Sequence, residues 1–135
     1  MNSTISFQTT ETIPTELVRD LLTTAFEGGS NYWVTQVHVA RLPAGMRRKD
    51  FEFWHAELPL VNGGAVKFLD AEEPDHQFAD SLNYYTLDFT AITKGLAAMR
   101  LKYPDSWKAA IDGTFDALTA DVFLQCCIFG EVVYG

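Results

Sequence analysis

The chain has 135 residues, 47% of them apolar and 21% charged, and a formal net charge of −8. That length suits one domain with a true hydrophobic core. No apolar run approaches the roughly 18–20 residues of a membrane span, so no membrane insertion is expected. An acidic surface repels nucleic-acid backbones, so no direct nucleic-acid binding is expected either. The opening "MNSTISFQTTET" has no basic region followed by an apolar stretch; it reads as a polar lead-in without a secretory signal.

The first predicted element is a helix in "PTELVRDLLTTAFEGG". Leu17, Val18, Leu21, Leu22, Ala25 and Phe26 recur at the spacing of one buried helical face. Pro14 or Thr15 starts it, and Gly28 stands where a left-handed cap would end it. "YWVTQVHVARL" then alternates as a strand, with Trp33, Thr35, Val37 and Val39 on the core side and Tyr32, Gln36 and His38 on the other. Pro43 and Gly45 break the chain into a loop over 42–50. The aromatic run "FEFWHAELPLV" reads as extended, and "NGG" (62–64) turns it into "AVKFLDA" as a hairpin.

Residues 70–80 hold Asp70, Glu72, Glu73, Asp75 and Asp80 around Pro74, and read as a solvated acidic loop. "NYYTLDF" (83–89) is extended. Asp88 or Thr90 caps a helix through Tyr103, with Ile92, Leu96 and Met99 inside and Pro104 as its stop. Gly95 within it costs about 1 kcal/mol relative to alanine, which points to a close contact or a weaker helix. A short helix over 105–113 ends at Gly113. A longer one in "DALTADVFLQCCIFG" is capped by Asp116 or Thr119, ends at Gly130, and is apolar over more than one stripe, as a central buried helix should be. "EVVYG" closes the chain as an extended tail. The expectation is a single compact α+β domain over 1–135. It has an N-terminal helix, a central antiparallel sheet of about four strands, and C-terminal helices packed on one face.

The chemistry is sparse. The glycine pairs are not followed by the Lys-Ser/Thr of a phosphate-binding loop, and the dinucleotide, nucleophile-elbow and His-Glu-x-x-His motifs are missing. Cys126 and Cys127 are adjacent in an apolar helical pattern, which makes them small buried hydrophobes of a reducing cytosol. His38 and His55 could meet across neighbouring strands near Glu52 or Glu57 and hold a metal or act as acid and base, against the plainer reading of two histidines on a half-exposed sheet. No catalytic residue, metal or cofactor is assigned. The aromatic strands carry the clearest signal. Asn31, Tyr32, Gln36, His38 and Tyr84, with Arg41, Arg47 and Arg48, form the candidate ligand set: rings to stack a base, amides to read its edge, guanidinium groups to meet phosphate. Asp70, Glu72, Glu73, Asp75 and Asp80 form the candidate protein-contact patch.

The segments "LLTTAFEGGSNYW", "KGLAAMRLKYP" and "TADVFLQCCIFGEVVYG" resemble small accessory proteins encoded by tailed bacteriophages and prophages; residues 40–80 carry no such likeness. The resemblance implies a protein made in the cytoplasm of a bacterial host, and no functional residues come with it. It implies a candidate inhibitor of host defence, acting by binding a CRISPR-type or other defence protein, mimicking DNA, or sequestering a nucleotide signal. The leading expectation is therefore a non-enzymatic anti-defence protein whose partner is a host defence protein or a nucleotide-type small molecule. The alternatives are a small hydrolase using His38 and His55, and a self-assembling structural or regulatory protein whose tail, Val132, Val133 and Tyr134, builds a homo-oligomer.

Overall fold

A computed structural model describes residues 3–7, 11–76 and 83–135 of the chain. The described residues of the polar lead-in include a strand pair. β1 (Thr4–Ser6) pairs antiparallel with β2 (Thr12–Pro14), and Ile5 faces Ile13 across the pair. Both isoleucines are buried while their neighbours are exposed. One apolar residue per strand gives too little alternation to be read from sequence.

α1 (Thr15–Thr24) buries Val18, Leu21 and Leu22, as its periodicity requires. It does not stop in a left-handed glycine. Residues Ala25–Gly29 continue it as a π turn, in which the Ser30 N–H donates to the Ala25 carbonyl at 2.9 Å, and Gly28 has no positive φ. The glycine that matters is Gly29, where a side chain would run into the carbonyl oxygen of Ala117.

Among the described residues the main sheet has three strands, where about four were expected, in the order β3 (Val34–Arg41), β4 (Ala65–Asp70), β5 (Tyr85–Leu87), all antiparallel. A bulge in β3 places two residues between the Thr35–Leu69 and His38–Lys67 pairs, and Gln36 takes φ +56° there. The extra residue resets the alternation. Val37 and Val39 still pack on the core, but Thr35 pairs with Leu69 on the face away from Phe68.

The aromatic run after the loop is not extended. It forms α2 (Trp54–Glu57) and a 3-10 turn over Leu58–Leu60, so the expected hairpin across Asn62–Gly64 does not form and β4 pairs with β3 instead. The Glu57 carboxylate folds back to accept the Phe53 N–H at 2.6 Å, which satisfies the start of this short helix. Apolar residues fall at nearly every position here, and such a run lacks a period to separate helix from strand.

The C-terminal half follows its local signals. α3 (Phe89–Lys102) is capped by Asp88, whose carboxylate accepts the Ala91 N–H, and α5 (Ala117–Phe129) by Asp116, which accepts the Thr119 N–H. α4 (Pro104–Asp112) starts on its proline, and α4 and α5 end in left-handed Gly113 and Gly130. α5 is buried from Thr119 to Cys127, and α1, α3 and α4 pack around it. The shared core joins Phe123 and Leu124 of α5 to Trp33, Phe68 and Leu87 beside the sheet. The fold is α+β in one compact domain. Among the described residues no helix is long and apolar enough to cross a membrane.

The acidic segment divides. Glu72 and Asp75 are exposed and Glu73 half-buried, as a solvated loop predicts, and Asp80 lies outside the described residues. Asp70 is the correction. It ends β4 on the same side as Val66 and Phe68 and is fully buried, because strand alternation carries it into the core.

Candidate functional site

The residues that follow the first helix meet a buried carboxylate. Asp121 lies in the middle of α5, and the π turn brings "SNYW" against it. Ser30 Oγ and Trp33 Nε1 donate to Oδ1 at 2.7 and 2.8 Å; Tyr32 OH and Gln125 Nε2 donate to Oδ2 at 2.6 and 2.9 Å. Both carboxylate oxygens are thus doubly engaged, which makes an anion tolerable in a low-dielectric core. Gln125 then secures the tail, its Oε1 accepting the N–H groups of Val133 and Tyr134 at 2.7 and 2.9 Å. Tyr134 OH donates to Asp70 Oδ2 at 2.6 Å, and Asp70 Oδ1 accepts the Glu72 N–H. Burial and then the adjoining carboxylates, Asp121 for Tyr32 and Asp70 for Tyr134, raise both phenols well above the ordinary tyrosine range.

This network is structural. Tyr32 is 47% exposed but has its hydroxyl committed inward, and Asn31 is exposed beside it. Of the tail, Val132 and Tyr134 pack on the chain's own core, leaving Val133 as the exposed apolar residue. Asp121 and Gln125 are functional parts of the fold that the apolar helix pattern concealed. Their signal was their presence, four residues apart, in an otherwise unbroken apolar run.

The other candidates fall in separate places. His38 and Tyr84 lie on the open face of the sheet, with ring centroids 6.0 Å apart, and Lys67 Nζ sits 4.7 Å above the Tyr84 ring. Lys67 was missed, although alternation in "AVKFLDA" puts it opposite Val66 and Phe68. Gln36 occupies the bulge. Arg41 pairs with Asp88 at 3.1 Å. In the loop, the Arg47 N–H donates to Asp50, and the Arg48 guanidinium lies 5.6 Å from the Trp54 ring centroid. The eight residues therefore do not converge on one pocket.

The two histidines keep different company. His38 has Tyr84, whereas His55 is set among the rings of Phe26, Phe53 and Trp54 at centroid distances of 5.7, 6.4 and 5.7 Å. His55 Nε2 is buried without a hydrogen-bond partner, and Glu27 Oε1 stands 3.9 Å away. Burial lowers the His55 pKa below its ordinary 6.5, against the pull of Glu27 and Glu57. A small cavity of about 220 Å³, lined by Phe26, Glu27, Val37, Trp54 and His55, opens beside it. Among the described residues no group of three or more His, Cys, Asp or Glu side chains is placed to hold a metal ion. Cys126 and Cys127 are buried free thiols; burial pushes Cys126 up to about 11 and Cys127 well above the ordinary range, so neither is a ready thiolate.

A larger cleft lies elsewhere, between the N-terminal strand pair, the start of α1, the 57–61 segment and the start of α3. It measures about 520 Å³. Ile5, Leu60, Val61 and Phe89 supply apolar walls; Glu16, Arg19 and Glu57 supply the charges; Ser3, Thr4 and Thr15 add hydroxyl groups. Arg19 is held over the Phe53 ring at 5.2 Å, and Phe89 remains 41% exposed at the rim. An apolar cleft of this size with a few converging polar groups is the usual form of a binding site. Sequence reading named only Glu57 among these residues, and for an acid–base cluster with the histidines, since the cleft draws on four elements that only the tertiary fold assembles. Comparison with protein-family models, curated proteins and solved structures finds no match to this chain.

Proposed function

We propose that this chain is a non-enzymatic accessory protein of a tailed phage or prophage that works in the cytoplasm of its bacterial host, countering defence by docking on a host defence protein. The observation that carries the docking mode is the 520 Å³ cleft, which combines apolar walls and an exposed Phe89 with two carboxylates and one guanidinium. Exposed aromatic and apolar surface beside charge is what a protein partner uses as an anchor. The anti-defence setting rests on the resemblance of the first helix and the last third of the chain to phage accessory proteins.

The same charges disfavour the nucleotide mode. Glu16 and Glu57 outnumber Arg19 in the cleft, which repels a phosphate, and the Tyr84 face that would stack a base already carries Lys67. The side chains that chemistry would require are otherwise committed: the thiols are protonated and buried, and His38 and His55 have separate neighbours.

The test is phage plating on bacteria that carry single defined defence systems, with and without this protein. Restored plating against one system, lost in Phe89→Lys, is the expected result. No rescue across a broad panel would refute the reading. Rescue together with a stoichiometric nucleotide adduct in native mass spectrometry would replace docking by sequestration.

A further inference from the structure

The cleft has a directional feature that its side chains alone do not reveal. In the β1–β2 pair, Thr15 N–H donates to the Ser3 carbonyl at 3.1 Å and Phe7 N–H to the Glu11 carbonyl at 3.4 Å. Antiparallel pairing alternates between hydrogen-bonded and non-bonded positions. Ser3, Ile5 and Phe7 therefore turn their backbone groups toward β2, and Thr4 and Ser6 turn theirs away. The position of Pro14 agrees: it faces Thr4, where no N–H is needed. The outward N–H and C=O groups of Thr4 and Ser6 have no hydrogen-bond partner among the described residues, and both residues are exposed.

That open edge borders the cleft. Thr4 and Ile5 of β1 both line it, although consecutive strand residues point to opposite faces; of the other side of the pair only Thr15, bonded to Ser3 at its end, lines it, and none of Thr12–Pro14 does. A cavity that touches side chains from both faces of β1 at Thr4 and Ile5 reaches around the strand at its free edge, and the Ser3–Thr15 pair closes its end.

Resting on the docking reading above, we infer that the partner presents an extended segment, which adds to β1 as a third strand. Its backbone pairs with Thr4 and Ser6 and sets an apolar side chain between Ile5, Leu60, Val61 and Phe89. The side chain two residues along that segment, on the same face, is basic, because Glu16 and Glu57 face the same space and Arg19 is drawn over the Phe53 ring. Strand addition takes affinity from main-chain hydrogen bonds and selectivity from pockets for alternate side chains. The cleft supplies one such pocket beside the edge.

The experiment pans random eight-residue peptides, displayed on their messenger RNA, against the immobilised full chain. The expected result is enrichment of peptides that place Lys or Arg two positions from an apolar residue. A synthetic enriched peptide should slow amide exchange at Thr4 and Ser6 by tenfold or more. Its affinity should fall at least tenfold in Thr4→Pro, which removes an outward N–H and no bond of the β1–β2 pair. Exchange on the unaltered protein keeps the test valid even if Thr4→Pro weakens the hairpin. Equal binding to Thr4→Pro with unchanged exchange at Thr4 and Ser6 would overturn the strand addition, as would failure to enrich any peptide. If Thr4→Pro still restored phage plating while Phe89→Lys did not, the docking reading would stand and the edge inference would fall.

Discussion

Gly95→Ala sets two opposed effects against each other, and the structure decides between them. Gly95 is buried in the middle of α3, where alanine would favour the helix by about 1 kcal/mol on propensity alone. The added Cβ would, however, lie 2.7 Å from Cα and 2.8 Å from N of Cys127 on α5, and closer still to its sulfur. Ordinary carbon contacts are about 3.5–4.0 Å, so the helices must part by roughly 1 Å along their tightest line. The sulfur can swing aside; the Cys127 backbone cannot. Overpacking costs about 1–3 kcal/mol, and obstruction by backbone belongs at the upper end. Subtracting the propensity gain leaves a net loss of about 2 kcal/mol. With a urea slope of about 2 kcal/mol per molar, the unfolding midpoint followed by tryptophan fluorescence should fall by about 1 M. Adding Cys127→Ala should recover less than half of that, since it clears only the sulfur. An unchanged or higher midpoint in Gly95→Ala would refute the close-contact account.

The remaining predictions concern buried polar groups. Asp121→Ala strands the donors of Ser30, Trp33 and Gln125 and should cost about 3–5 kcal/mol, with the near-ultraviolet circular dichroism of Trp33 reduced; a loss below 1 kcal/mol in urea unfolding would show the network to be dispensable. His55 is held neutral by burial, so its folded pKa is below the unfolded value. Stability present above about pH 6.5 should decline as pH falls below it, and urea midpoints between pH 7.5 and 5 should show a shallower decline in His55→Phe. Tyr134→Phe removes the 2.6 Å bond to Asp70, leaves only the long Tyr85 contact on Oδ2, and should cost about 1–3 kcal/mol by the same assay. Both thiols should resist an aromatic disulfide reagent at pH 8 in the folded protein and react fully in urea; fast labelling of either in the native state would contradict their burial.

The elements written in the sequence are those whose signals are local. α1, α3, α4 and α5 follow from three-and-four periodicity, the Asp88 and Asp116 caps, and Gly113 and Gly130, because each involves residues within one or two turns. The burial of α5 and of Trp33 was equally legible, since an all-round apolar helix has only the core to go to.

What the tertiary structure decided is what depends on partners distant in sequence. The run 51–61 carries apolar residues without a period, and its packing under α1 and β4 made it helical. A bulge at Gln36, invisible to alternation, sent Thr35 to the far face. Strand alternation buries Asp70, and the hydroxyl that satisfies it there comes from Tyr134, 64 residues later. The cleft gathers Thr4, Glu16, Leu60 and Phe89 from four elements, and its open edge exists because β1, among the described residues, finds one partner strand and not two. Local chemistry can specify where a helix begins and ends, but a site is a juxtaposition, and only packing creates one.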